Sequence, residues 1–132
     1  MLIKSTHRFF VFCSIYFILY FSYTGCKKNK LGGKSEVSGY VKHHANVMPG
    51  ARIFIKTGTQ DFPGSDTTKY DHVVKADERG FFKISFYKGE YYLYGVVYDY
   101  TLNPPAWATG GLPLRLRTNE DMEITLAVTE QH

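Results

Sequence analysis

The amino-acid sequence predicts an all-β fold in which seven strands form two antiparallel sheets packed face to face. From residue 36 onward, short runs rich in Val, Ile, Tyr and Phe alternate with polar residues at the period of two that a half-buried strand requires. Gly, Pro, Asn and Asp separate these runs, and no segment of useful length has a helical period. Because the alternation is one-sided, each sheet is expected to bury one face and to expose the other.

Each strand is placed by its alternation and by the turn that precedes it. Pro49-Gly50 comes before the second strand, and the turn Asp77–Gly80 comes before the fourth, with a side-chain acceptor first and a glycine where a positive φ is needed. Ile84 and Leu126 are expected to point inward and Lys83 outward. In chain order the seven strands are predicted over residues 37–41, 51–55, 70–76, 82–86, 90–100, 112–117 and 124–128.

The first 25 residues have the layout of a secretory signal peptide. Lys4 and Arg8 give a basic start, an apolar run extends from Phe9 to Phe21, and small residues precede Cys26, after which the composition turns polar. The apolar run is shorter than the roughly 20 residues that a membrane-spanning helix needs. The sequence therefore predicts export of everything that follows.

The end of this leader, Thr24-Gly25-Cys26, resembles the cleavage site of bacterial lipoproteins. The resemblance implies that Cys26 is lipidated on sulfur, becomes the mature N-terminus and attaches the protein to a membrane. Tyr23 departs from the pattern, since an aliphatic residue is usual three places before the cysteine. An uncleaved N-terminal anchor or ordinary secretion is the alternative.

The composition of the remaining chain indicates one small domain behind a tether. Cleavage before Cys26 leaves 132 − 25 = 107 residues, with 14 basic and 12 acidic side chains, so the net charge falls from +4 to +2. The charges are interspersed and form no basic stripe, so no nucleic-acid partner is expected. Residues 26–35 are predicted to be a lipidated flexible tether, because Lys and Gly dominate them. With Cys13 removed and Cys26 lipidated, no disulfide is expected, and the domain over 36–132 depends on its packed core.

The order of motifs over residues 36–128 resembles the carboxypeptidase regulatory-like, or transthyretin-like, β-sandwich domain. The resemblance implies a seven-stranded antiparallel Greek-key β-sandwich of the prealbumin/immunoglobulin-like type. It also implies an accessory module without peptidase activity. The segments that carry it are Gly39-Tyr40-Val41, Pro49–Ile55, Asp77–Phe82, Gly89–Leu93 and Glu123–Leu126.

No catalytic residue, resident metal or other cofactor is predicted. The chain has no Gly-x-Ser-x-Gly elbow, and it does not end in the Tyr-Arg-Gly-Ser motif of the transthyretin-like purine-pathway hydrolases. His43 and His44, with His72 as a third member, are the candidate ligands of a metal site, but adjacent strand residues point to opposite faces. A solvated pair in a loop is therefore the preferred interpretation of these histidines. Asp61, Asp66 and Asp71 lack the spacing of a calcium loop and are interpreted as solvated loop residues.

A stripe of tyrosines is the candidate binding surface. The resemblance to the carboxypeptidase regulatory-like domain implies that Tyr91, Leu93, Gly95 and Val97 face the core, in which case the alternate residues of the same strand share the outer face. Exposed tyrosines in a contiguous patch often mark an interface. Coverage by the long loops, or a reversed strand phase, is the alternative; Phe54 and Phe81 could join the face. The predicted binding residues are Tyr92, Tyr94, Tyr98 and Tyr100, with Trp107 in a loop over 101–111.

The sequence as a whole predicts a non-enzymatic, lipid-anchored protein of the cell envelope that binds or scaffolds a partner. An envelope protein is the preferred partner, since the family that it resembles serves mostly as accessory modules. The alternative is a carbohydrate-binding module in which the exposed aromatic side chains stack on sugar rings. Lys27, Lys28 and Lys30 follow the cysteine where surface-exported lipoproteins carry acidic residues. This difference favours an outer-membrane location facing the periplasm.

Overall fold

The computed structural model describes residues 27–131, which form an all-β domain with a single turn of 3-10 helix at Thr67–Lys69. All seven predicted strands are present, and a two-residue strand follows the first of them. The strands are β1 Leu31–His43, β2 Asn46–Val47, β3 Arg52–Thr57, β4 His72–Lys75, β5 Phe81–Phe86, β6 Gly89–Asp99, β7 Ala106–Leu116 and β8 Asp121–Glu130.

The strands form one curled, mixed sheet of eight strands, folded so that its two halves face each other. Its order is β2-β1-β8-β7-β6-β3-β4, with β5 paired to β1. The first half contains β1, β2, β5 and β8, and the second contains β3, β4, β6 and β7. The halves join where β7 pairs briefly with β8, at Ala108↔Glu130 and Thr109↔Thr129.

The structure bears out an all-β fold, but not seven antiparallel strands in two Greek-key sheets: the described strands form one curled mixed sheet of eight, in which one pair is parallel. β1 and β8 run parallel, in register from Glu36↔Asp121 to His43↔Val128, while the other pairs are antiparallel. Alternation shows which face of a strand is buried but not the direction of its neighbour. The relative direction of two strands nearly ninety residues apart is therefore decided by the fold.

The core lies between the two halves and is built from the predicted inward positions. Ile84 and Leu126 are buried and Lys83 is exposed, so the predicted phases of β5 and β8 are confirmed. Gly39 also points inward, where a Cβ would collide with the backbone carbonyl of Ile124 in β8. The fully buried large side chains of the core include Val37, Val41, Ile53, Ile55, Phe86, Tyr91, Leu93, Leu126 and Val128.

The N-terminal segment packs on the domain and is not a free tether up to residue 35. β1 begins at Leu31, and a bulge lets Leu31 and Ser35 both face Phe86 of β5. The buried Tyr91 hydroxyl accepts a hydrogen bond from the Lys30 N–H at 2.8 Å, and the Asn29 side chain accepts one from the Glu90 N–H at 2.9 Å. A Lys- and Gly-rich composition indicated flexibility, but hydrogen bonds from the distant strand β6 order this segment.

β7 begins six residues before its predicted start, so Trp107 lies in a strand and not in a loop. The strand start was predicted too late because Gly110-Gly111 is interpreted as a loop signal in the sequence. A Cβ at Gly110 would meet the backbone carbonyl of Ala127, and one at Gly111 would meet the ring of Tyr92. These glycines allow close approach inside a sheet, which is the other common reason for glycine in a strand.

The predicted turn Asp77–Gly80 is confirmed. The Asp77 carboxylate accepts hydrogen bonds from the N–H groups of Arg79 at 2.8 Å and Phe81 at 2.9 Å, and Gly80 has a φ of 72°. These two hydrogen bonds lower the pKa of Asp77. The turn thereby fixes where β5 begins and which of its side chains enter the core.

Cys26 and the leader lie outside the described residues. Within residues 27–131, no helix is long and apolar enough to cross a membrane.

Candidate functional site

The tyrosine stripe of β6 lies on the outer face of the second half-sheet, as its phase predicts. Tyr91, Leu93, Gly95 and Val97 are buried on the core side. The alternate residues point outward, where Tyr94 pairs with Phe54 of β3 and Tyr98 pairs with Trp107 of β7. The aromatic side chains of three adjacent strands therefore share one surface.

A loop over residues 58–71 covers one part of this surface. The ring of Phe62 lies 5.5 Å from the rings of both Tyr92 and Tyr94. Tyr70 stacks on Tyr94, with 5.6 Å between ring centroids and 16° between planes. Tyr94 is consequently only 4% exposed, so it belongs to a second, outer aromatic layer and is not free to bind a partner.

The polar residues of the loop hold it in place. Asp71 accepts hydrogen bonds from the N–H and hydroxyl of Thr57, both at 2.9 Å, and so closes the base of the loop. Asp66 caps the 3-10 turn by accepting hydrogen bonds from the Thr68 hydroxyl at 2.6 Å and from the Thr68 N–H at 3.0 Å. These hydrogen bonds lower the pKa of both carboxyl groups. Asp66 and Asp71 thus have separate structural roles, and Asp61 is exposed.

The uncovered part of the outer face is a groove lined by Tyr98, Tyr100 and Trp107. Tyr98 contacts both of the others edge-to-face, with centroids 4.8 Å from Tyr100 and 5.1 Å from Trp107. Tyr100 is 79% exposed and Trp107 is 56% exposed. The groove has a volume of about 380 Å³, and Arg52 and Phe54 of β3 complete its wall. This open aromatic surface is called the aromatic groove below.

The structure therefore divides the five predicted binding residues into two groups. Tyr98, Tyr100 and Trp107 come together in the aromatic groove, whereas Tyr92 and Tyr94 lie under the loop. Phe54 joins the surface as expected. Phe81 does not, because it lies on β5 in the other half-sheet and packs against Tyr40 at 5.3 Å.

A cluster of ionisable side chains closes one end of the core, and sequence reasoning missed it. His43 was interpreted as a solvated loop residue, but it is the last residue of β1 and is buried. Its Nδ1 lies 2.6 Å from Asp99 Oδ2, and its Nε2 lies 2.5 Å from Glu130 Oε2. The signal that could have found it is strand phase. His43, Asp99 and Glu130 continue the inward positions of β1, β6 and β8 by one step each.

The charges of this cluster stabilise one another. Hydrogen bonds to Asp99 and then to Glu130 raise the pKa of His43, while burial acts in the opposite direction. Asp99 also accepts from the hydroxyl of Thr101 at 2.6 Å and from its N–H at 2.8 Å. The bonds from Thr101 and from His43 lower the pKa of Asp99 to about 2. His43 thus lies between two carboxylates that both favour its protonated form.

The side chains of His43 and His44 lie together, although adjacent residues of a strand normally point to opposite faces. Its φ of 54° is left-handed, and with Ala45 it forms the turn from β1 into β2. This backbone conformation brings the two imidazole rings to 4.4 Å, and His44 Nε2 lies 3.7 Å from Glu130 Oε2. Donor atoms of His43, His44 and Glu130 all lie within 4.8 Å of one another. His72, the third histidine considered, is on β4 in the other half-sheet.

The comparisons with known proteins support the fold. No family model and no curated protein matches the sequence. Among solved structures, the chain is similar to a candidate carbohydrate binding protein from Pseudomonas aeruginosa, with a TM-score of 0.51 and 11% identity, over 75% of this chain and 91% of that one.

A second similar structure is a DUF3823 family protein from Parabacteroides merdae, with a TM-score of 0.46 and 20% identity over 75% of this chain. The chain spans about half, 47%, of that protein's length.

Proposed function

We propose that this protein is a non-enzymatic binding module of the cell envelope, attached to a membrane by a lipid on Cys26, and that it binds its ligand in the aromatic groove. The observation that carries the proposal is the exposure of Trp107, which pairs with Tyr98 across two strands, and of Tyr100, in the turn directly after β6. Aromatic rings held by a sheet lose little conformational entropy on binding, because their positions are already fixed.

A carbohydrate is the ligand class that fits the groove best. The C–H faces of a sugar ring pack on flat aromatic rings, while its hydroxyl groups need polar partners at the rim. Trp107 and Tyr100 supply the rings, and Arg52 and the two tyrosine hydroxyls supply the polar groups. The description of the Pseudomonas aeruginosa neighbour agrees with this ligand class, although the likeness itself supports only the fold.

The position of the groove suits a protein anchored at its N-terminus. Residues 28–30 lie beside the start of β6, whereas Tyr98 lies near its end. Nine residues of strand separate Gly89 from Tyr98, which is a distance of about 30 Å. The groove therefore lies at the end of the domain away from the anchor, where a ligand can reach it.

Basic side chains surround the anchor end of the domain. Lys28, Lys88, Arg115 and Arg117 line a shared surface depression and are exposed. Lysine and arginine near an anionic bilayer each contribute about 1 kcal/mol of attraction. This charge distribution supports the proposed attachment, since it complements the headgroups that a lipidated Cys26 would place next to it.

The environment of His43 does not suit a Ser-His-Asp triad. In a Ser-His-Asp triad, one histidine nitrogen faces the carboxylate and the other faces the nucleophile. Here both nitrogens face carboxylates, those of Asp99 and Glu130. Neither nitrogen is left to accept a proton from a hydroxyl nucleophile.

A protein partner is the second candidate, and the free edge of β4 favours it. β4 is the last strand of its half-sheet, and Val73 on it is 57% exposed. An extended segment of another protein can add to such an edge by main-chain hydrogen bonds. This mode would leave the aromatic groove free, so the two candidates predict different effects of groove substitutions.

A glycan array probed with the purified protein tests the proposal. Binding to a defined set of glycans is expected, and Tyr100→Ala or Trp107→Ala should weaken it at least about tenfold, as removal of a central aromatic contact does. Tyr40→Ala is the matched control, because Tyr40 is an exposed tyrosine on the first half-sheet. Equal binding by wild type, Tyr100→Ala and Trp107→Ala would refute the role of the groove. Hydrolysis of the bound glycan would refute the non-enzymatic assignment.

A further inference from the structure

The histidine cluster at the end of β1 has a donor set that the hydrogen bonds among its own side chains do not fully explain. An ion pair between His43, Asp99 and Glu130 needs no fourth residue. His44 nevertheless directs its ring to the same point, at the cost of a left-handed backbone, while its side chain is 70% exposed. The left-handed conformation serves the turn from β1 into β2, and the same turn places the His44 ring 4.4 Å from that of His43.

We propose that His43, His44 and Glu130 form a binding site for a divalent transition metal of the zinc class, with Asp99 supporting His43. Two imidazole nitrogens and one carboxylate oxygen are a usual set of protein ligands for Zn²⁺. Hard cations such as Mg²⁺ and Ca²⁺ prefer all-oxygen sites and are not expected to bind. Three protein ligands leave a fourth tetrahedral position for water or for an atom of a ligand.

The spacing of the donor atoms is close to what a metal requires. With bonds of about 2.0–2.1 Å, two ligand atoms of a tetrahedral zinc ion lie about 3.3 Å apart. His44 Nε2 and Glu130 Oε2 are already 3.7 Å apart. His43 Nε2 and Glu130 Oε2 are 2.5 Å apart and must separate by about 0.8 Å to reach that ligand spacing. Glu130 can make this movement, because its side chain is 28% exposed and it is the last residue of β8.

Asp99 would act as a positioning residue. A metal-bound histidine commonly donates its other ring N–H to a carboxylate, which fixes the tautomer and the ring orientation. His43 Nδ1 lies 2.6 Å from Asp99 Oδ2, and Asp99 is itself held through its other oxygen by Thr101. The metal would replace the proton between His43 Nε2 and Glu130, and that proton would pass to solvent.

The site would join the turn after β1 to the end of β8, which is the parallel pair on which the first half-sheet depends. Binding of a metal to the folded state alone stabilises that state by mass action. Zinc is therefore expected to raise the melting temperature as well as to bind.

The test is a titration of the full-length protein in mild detergent, stripped of metal with EDTA, with ZnCl₂ by isothermal calorimetry. Wild type is expected to bind one Zn²⁺ per chain and to ignore MgCl₂ and CaCl₂. His44→Ala should weaken binding at least about tenfold, and Asp99→Asn by about 10–100-fold, as loss of a supporting carboxylate does. His72→Ala, an exposed histidine elsewhere, is the matched control and should bind as wild type does.

Zinc should also raise the melting temperature of wild type and of His72→Ala but not that of His44→Ala. Because His44 is exposed, its variant is expected to fold, and circular dichroism without metal checks this. The proposal is overturned if wild type shows no saturable zinc binding, or if His44→Ala binds zinc as tightly as wild type does.

Discussion

Tyr94 offers the sharpest test of how the outer aromatic face is built. The side chain points away from the core, and yet it is 4% exposed because Phe62 and Tyr70 cover it. A buried aromatic side chain removes about 150–250 Å² from water, which at about 25 cal/mol per Å² corresponds to about 4–6 kcal/mol. A compact unfolded state lowers this to about 3–5 kcal/mol.

Tyr94→Ala is therefore expected to reduce the free energy of unfolding by about 3 kcal/mol, because the loop over 58–71 can settle partly into the space. Tyr100→Ala is the matched control, since Tyr100 is on the same face but 79% exposed, and its effect should stay within about 0.5 kcal/mol. Both values come from urea unfolding of residues 27–132, followed by circular dichroism and by the fluorescence of Trp107, the single tryptophan.

The result that would refute this reasoning is a cost below about 1 kcal/mol for Tyr94→Ala. It would mean that the loop does not cover Tyr94 in solution, and that the whole tyrosine stripe is available to a partner. A large loss at Tyr100 with none at Tyr94 would reverse the assignment of the two aromatic groups.

Other predictions concern the core, the N-terminal segment, alkaline pH and the anchor. Ile84→Ala should cost about 2–5 kcal/mol, whereas its exposed neighbour Lys83→Ala should stay within about 0.5 kcal/mol, both by urea unfolding; the opposite ranking would contradict the phase of β5. Removing residues 27–35 should cost at least about 2 kcal/mol, because it removes the first residues of β1 together with the hydrogen bonds of Lys30 to Tyr91 and of Ser35 to Arg117; an unchanged unfolding midpoint would show that this segment is a free tether. Burial first, and then the neighbouring tyrosines, raises the pKa of Tyr70 to about 12. Since the reference value is about 10, stability should fall as pH rises from 10 to 12, and less so in Tyr70→Phe; equal falls would contradict it. Cys26→Ser should abolish labelling by radioactive palmitate, and equal labelling of variant and wild type would disprove the lipid anchor.

The anchoring and binding proposals are separable in experiment. Loss of palmitate labelling with intact glycan binding would leave the aromatic groove as the site and change only the location of the protein. Failure of glycan binding with intact palmitate labelling would favour the second candidate function, a protein partner bound at the edge of β4. Neither outcome bears on the proposed metal site, which lies at the ends of β1 and β8 and is tested by its own titration.

The sequence by itself determined the class of the fold and the inward phase of those strands that have one polar face. A period of two is a local property, so the inward phase of β5 could be predicted from Ile84 and Phe86 without knowing what they pack against. The turn at Asp77 was equally local, because its carboxylate bonds to N–H groups two and four residues away. Strand existence, phase and the main turns therefore followed from neighbouring residues.

Only the tertiary structure decided what lies against each face. Phe62 covers Tyr94 from a loop more than thirty residues away, and His43 meets Asp99 and Glu130 across separations of 56 and 87 residues. The parallel pairing of β1 and β8 belongs to the same class of long-range choice. Such contacts depend on loop closure and on the packing of whole sheets, which no local pattern encodes. For this reason the aromatic surface could be predicted from the sequence. Which of its residues are exposed, and which side chains contact His43, depended on the tertiary structure.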